Sequence, residues 1–216
     1  MARGGDGRRG PCVTELSLGE AEALARKAAR GADFSWGMAE EAGRALRWLC
    51  ARGLPGGAAL AGLLASPAAG GPACPLTLGA TFVDRSELAR AAGTAEMETH
   101  LTVVHPLLFL PFAASVAARG PFALQVDWPD ARVFLAGTEV RMARKDVLAT
   151  ADRSKVACRE IPEAGAMQGT PLAPGHRADV APEALAMLER LSARTYAPAT
   201  PESRLAGAGA GLTDND

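Results

Sequence analysis

The chain has 216 residues, 48% of them apolar and 22% charged, with a formal net charge of −1 and an isoelectric point near 6.3. That is long enough to bury a sizeable core without staples, and too neutral for the broad basic surface that phosphate neutralisation requires. No apolar run approaches the roughly 20 residues a bilayer demands, so neither nucleic acid nor membrane is expected as a partner.

At the start, Arg3, Arg8 and Arg9 sit among glycines, which predicts a flexible leader over residues 1–14. No apolar stretch follows those arginines, so a secretory signal is not read and a cytoplasmic location is expected. Cys12, Cys50, Cys74 and Cys158 are widely spaced, without a C-x-x-C pair. Reduced thiols that act as small apolar side chains are the expectation.

Ser17 and Glu20 form a capping box that opens a helix to about Arg30, with Leu18, Ala21, Leu24, Ala25, Ala28 and Ala29 on one apolar stripe. Ser35 caps a second helix ending near Gly53, with Ala39, Ala42, Leu46, Leu49 and Cys50 inward and a Glu40–Arg44 pair outside. A short alanine- and leucine-rich third helix stops before Pro67. Residues 66–75, rich in Pro, Gly and Ala, mark a loop or a seam between two lobes.

Beyond the seam, Leu76–Val83 and Leu101–Val104 are β-prone, with a helical stretch from Ser86 to Ala92 between them. Leu107–Leu110 has the continuous apolar pattern of a strand buried on both faces; one broken helix is the alternative. Pro111 opens a helix to Gly120. Phe122, Leu124 and Val126 alternate with Ala123, Gln125 and Asp127, and Pro129-Asp130 turns the chain into Val133–Leu135 as a hairpin. Val140–Val147 and Lys155–Ile161 add strands, residues 162–174 form a loop, and Asp179 caps a last helix that carries Pro182 in its first turn.

The fold class is therefore α+β: an N-terminal helical unit packed on a mixed or antiparallel sheet, with a C-terminal helix and a glycine-rich tail. Residues 15–216 are expected to form a single domain.

The tail concentrates the candidate chemistry. Gly207, Gly209 and Gly211 recur at every second residue, so the backbone can approach a ligand closely and turn its N–H groups onto an anion. Arg204 adds a bidentate donor beside Ser203. Asp214, Asp216 and the terminal carboxylate resemble part of a hard-metal shell, although no metal site is assigned. The glycines lack both the Lys-Ser/Thr of a phosphate loop and dinucleotide spacing. His100 and His105 are poorly spaced for paired ligation, and His105 is read as a core or rim histidine. No hydrolase signature surrounds Ser35, Ser154 or Ser203, so no catalytic residue and no cofactor is assigned.

Leu16-Ser17-Leu18, the segment Ser35-Trp36-Gly37-Met38-Ala39-Glu40-Glu41-Ala42, Tyr196-Ala197-Pro198, Ser203-Arg204 and Gly207–Asp216 together resemble an uncharacterised bacterial family catalogued only as a domain of unknown function. That likeness extends over nearly the whole chain after the leader and implies no activity, cofactor or catalytic residue.

Trp36, Ser203, Arg204, the three glycines, Asp214 and Asp216 are taken as the ligand-binding set, with the tail folded over a pocket beside the helix that begins at Trp36. A small anionic ligand is the expected partner of a small-molecule-binding or enzymatic domain. The alternative is a non-catalytic accessory protein that forms a homo-oligomer or joins a protein partner in a metabolic complex.

Overall fold

The computed structural model describes residues 13–93, 98–129, 131–145, 153–161 and 167–196. The chain enters as a short strand, β1 (Thr14–Ser17), and passes into helix α1 (Leu18–Gly31) through the expected capping box. The Ser17 hydroxyl accepts from the Glu20 N–H at 3.1 Å, and the Ser17 N–H donates to the Glu20 carboxylate at 2.8 Å. The Ser17 N–H, with the Ser17 hydroxyl beside it, holds the Glu20 carboxyl below its ordinary range. α1 buries Ala21, Ala25, Ala28, Ala29 and Gly31, so small side chains let neighbouring helices approach closely.

Helix α2 (Trp36–Ala51) is capped by Ser35, whose hydroxyl accepts from Met38 N–H, and packs along α1. The expected Glu40–Arg44 pair is re-partnered: Arg44 binds Glu41 at 2.5 Å, while Glu40 reaches Arg26 of α1 at 3.3 Å. Interhelical packing turns the Glu40 face toward α1 and leaves Arg44 to its neighbour one turn back. Helix α3 (Gly56–Ala65) follows, then a 3-10 turn over Pro67–Gly70.

The β-prone run Leu76–Val83 lies within helix α4 (Pro75–Ala91). Pro75 at the first position presets the helical φ, and Leu76, Gly79, Phe82 and Ser86 recur at helical spacing on the buried side. The Thr81 and Ser86 hydroxyls turn back onto the carbonyls of Thr77 and Phe82, as hydroxyls do inside helices.

After strand β2 (Glu98–Val103), Leu107–Leu110 is not a strand. Pro106–Phe109 forms a 3-10 turn that runs into helix α5 (Leu110–Ala117), which is the broken-helix alternative. All four residues are fully buried, and a continuous apolar run satisfies a buried helix as well as a buried strand.

The remaining strands are β3 (Ala123–Trp128), β4 (Ala131–Ala136), β5 (Glu139–Lys145), β6 (Ser154–Ile161), β7 (Thr170–Pro171) and β8 (Arg177–Val180). The predicted hairpin is β3–β4, in register from Ala123 opposite Ala136 to Trp128 opposite Ala131. Of its turn residues, Asp130 lies outside the described residues, as does Val147 of the predicted fifth strand.

Asp179 does not cap the last helix, α6 (Pro182–Ala193); it sits in β8, opposite Glu15 of β1. Ala181 occupies the cap position without a side-chain bond, and Pro182 takes the first helical position.

Two antiparallel sheets result, β1–β8 and the six-stranded β2-β6-β3-β4-β5-β7, so the architecture is α+β. One face of the larger sheet carries Leu124, Val126, Val133, Leu135, Val156 and Cys158 into the main core, where α5 covers β3 and β4. On the opposite face Ala123, Phe134, Ile161 and Met167 make a small second cluster. α6 packs on α1 and α3 rather than on the sheet.

Candidate functional site

A cleft of about 440 Å³ opens where α2, α4 and α5 meet. Helical spacing on α2 aims Glu41, Arg44, Ala45 and Trp48 at it. α4 supplies Ala80, Val83 and Asp84, and α5 supplies Pro111, Phe112 and Ser115, with Arg119 just past its end. The floor is apolar and aromatic, while the rim carries charge of both signs.

Two arginines, Arg44 and Arg119, and two carboxylates, Glu41 and Asp84, set the charge of the cleft. Arg44 binds the Glu41 carboxylate, which raises the guanidinium pKa further and keeps it charged at any accessible pH. Arg119 pairs with Glu87 of α4. Both side chains are about half exposed, so these pairs are weak enough to exchange one carboxylate for another anion. Trp48 stiffens the wall: the Arg52 guanidinium stacks on its ring at 4.0 Å. Burial lowers the Arg52 pKa, and its Nε has no hydrogen-bond partner.

Of the sequence-predicted site residues, Trp36 alone is described. Ser203, Arg204, Gly207, Gly209, Gly211, Asp214 and Asp216 lie outside the described residues. Trp36 is 70% exposed on the first turn of α2, with the Arg30 guanidinium 4.5 Å from its ring centroid, and does not line the cleft. Tyr196, the last described residue before the tail, is also exposed and stacks with Lys27 of α1. Trp36 and Tyr196 are thus both held by cations one helical turn apart on α1.

His105 is set apart by three features. It is 4% exposed, its backbone is left-handed at φ 47°, and its Nδ1 has no hydrogen-bond partner among the described residues. The ring lies against α3 at Gly62, where a Cβ would come within 2.6 Å of the imidazole Cε1. Burial pushes the His105 pKa below the ordinary histidine value of about 6.5. The folded protein therefore takes up this proton less readily than the unfolded chain. The stability so contributed is complete above about pH 6.5 and is lost as pH falls toward the depressed folded-state value. The His105→Asn variant tolerates the same backbone and cannot titrate, so its melting temperature is expected to fall less than that of the wild type between about pH 7 and about pH 5.5. Equal acid sensitivity in the two proteins would remove His105 as the cause.

Cys50, Cys74 and Cys158 are free and buried, and burial pushes the thiols of Cys50 and Cys158 up to about 11 and about 12. These are inert, small apolar side chains. Among the described residues, no group of three or more His, Cys, Asp and Glu is arranged to hold a metal ion, and no helix is long and apolar enough to cross a membrane.

The structure defines an α+β protein with a charged, aromatic-floored cleft in its helical layer. Residues 16–103 match the family model described as "Protein of unknown function (DUF3726)", which takes in α1 to α4 and β2. The α2 and α4 walls of the cleft fall within that match; α5 and the tail fall outside it. No curated protein and no solved structure matches the chain.

Proposed function

We propose that this protein binds a small anionic metabolite in the α2–α4–α5 cleft, as a small-molecule-binding or enzymatic domain. The observation that carries this reading is the pairing of Arg44 and Arg119 over an apolar floor formed by Trp48 and Phe112. Planar guanidinium groups recognise carboxylate or phosphate bidentately, and an aromatic floor accommodates the apolar part of a ligand. The tail is the ligand-facing cover. Arg204 and the Gly207–Gly211 amides would supply its anion-binding donors. The reduced, buried thiols support a cytoplasmic location.

Thermal shift of the full chain against carboxylates, phosphorylated metabolites and nucleotides tests this. A ligand at 100 times its Kd adds about 2.7 kcal/mol of stability. The Arg44→Gln/Arg119→Gln double variant is expected to weaken binding at least about tenfold, because each charge-assisted bond contributes roughly 1.5 kcal/mol or more. Removal of residues 203–216 is expected to weaken the same ligand without lowering the ligand-free melting temperature. A panel with no stabilising anion, or one whose effect survives the double variant, removes the cleft. A shift unaltered by the truncation removes the tail alone.

A further inference from the structure

The two ends of the six-stranded sheet are treated unequally. At one end β7 is only two residues long and contains Pro171, the kind of blunting that keeps a sheet edge from recruiting another strand. At the other end β2 is six residues long, holds neither proline nor lysine, and pairs with β6 on one side only among the described residues. Beside this edge runs a groove of about 240 Å³ between β2 and α4, lined in part by Leu78, Phe82 and Leu101. Leu88, next to groove-lining Ala89, is 70% exposed. α4 therefore presents apolar side chains toward the core, the cleft and solvent, a pattern that belongs to a helix with neighbours on every side.

We infer that β2 and the adjoining α4 groove form a homodimer interface, in which β2 of one copy pairs antiparallel with β2 of a second about a two-fold axis near Thr99. Among the described residues no strand pairs with the outer edge of β2, a row of backbone donors and acceptors that calls for one, and Glu98 and His100 are complementary to their own two-fold image. Antiparallel pairing centred on Thr99 overlaps Glu98–His100 of the two copies, setting Glu98 of each opposite His100 of the other and Thr99 opposite its equivalent. Glu98 and His100 already meet, 3.2 Å apart on the same sheet face, with both side chains about 70% exposed and free to re-pair. The same axis brings the two α4 helices together beneath the joined strands, covering Leu88 and Leu101. Such an isologous contact closes on itself as a dimer. It stands independently of the anion cleft, which lies between α4 and α2 rather than between α4 and β2.

Sedimentation equilibrium of the full chain between about 1 and about 100 µM is the test. The wild type is expected to be a dimer in the upper part of that range. Leu88→Glu should raise the dissociation constant at least about tenfold, and His100→Glu, which sets carboxylates opposite one another twice, should do likewise. The swap Glu98→Lys/His100→Glu sets opposite charges across the axis and should recover the dimer, an outcome that misfolding of the single variant would not give. A wild type that stays monomeric throughout overturns the inference and leaves the edge to another occupant. A dimer indifferent to Leu88→Glu and His100→Glu overturns it equally, by placing the contact on another face.

Discussion

Gly31→Ala is expected to destabilise the fold by about 3 kcal/mol and to lower the melting temperature by roughly 10 °C, although alanine is the better helix former. Gly31 ends α1 where α6 crosses it, and a Cβ there would collide with the Leu191 carbonyl oxygen and lie 2.7 Å from its carbon. The obstacle is helix backbone, which cannot rotate aside as a side chain can. Arg194 of the α6 C-terminal cap fixes the same crossing by donating to the Gly31 carbonyl at 3.4 Å. Gly37, in the first turn of α2, is the control: nothing lies within 4 Å of its added Cβ, so Gly37→Ala should stabilise by several tenths of a kcal/mol. Urea titration of both variants checks the sign as well as the size. A Gly31→Ala protein within about 0.5 kcal/mol of wild type would mean that α1 and α6 are free to separate.

The second large effect is expected at Gly79, where α4 crosses α5. A Cβ there would meet the Phe112 ring, with Cε2 at 2.8 Å and two further ring atoms closer still. Here the obstacle can move, so the cost is smaller, about 2 kcal/mol. The direction of that movement matters more than its cost, because Phe112 is part of the cleft floor. Gly79→Ala should therefore lose stability and anion binding together, whereas Arg44→Gln/Arg119→Gln should lose binding alone. Isothermal titration with the best stabilising anion, beside a melting curve for each variant, separates the two. Retention of full affinity by Gly79→Ala would show that Phe112 has room to retreat elsewhere.

The parts of this fold that were legible in sequence are those whose determinants lie within a few residues. The Ser17–Glu20 box, the Ser35 cap, the small-residue stripe of α1 and the alternation of β3 each state a local geometry in local chemistry. α4 and the 3-10 turn at Pro106–Phe109 were misread for the opposite reason: their apolar residues face several neighbours at once, which erases the period that separates helix from strand. β1, β7 and β8 are too short to carry a pattern, and β1 exists only because β8 lies beside it. The cleft was invisible on the same grounds. Arg44 and Arg119 are 75 positions apart and meet only through the packing of α4 on α5 and of α2 on both. The one local hint was Gly79, set in an otherwise bulky run with no turn to explain it. Trp36, singled out from sequence, is a surface ring clasped by Arg30 rather than a cleft wall.

The pairing of β1 with β8 gives the chain an order of assembly. Thr14–Ser17 leaves the ribosome more than 150 residues before Arg177–Val180, its only strand partner among the described residues, and α1 must wait equally long for α6. Nascent α1 and α2 can cover one another early, but the alanine face that α6 will occupy stays bare until α6 itself has been made. Contacts so distant in sequence are slow to close and leave sticky intermediates on the way. The 16–103 segment, expressed alone, would present that same bare face permanently and should aggregate, whereas appending α6 through a short linker should relieve it.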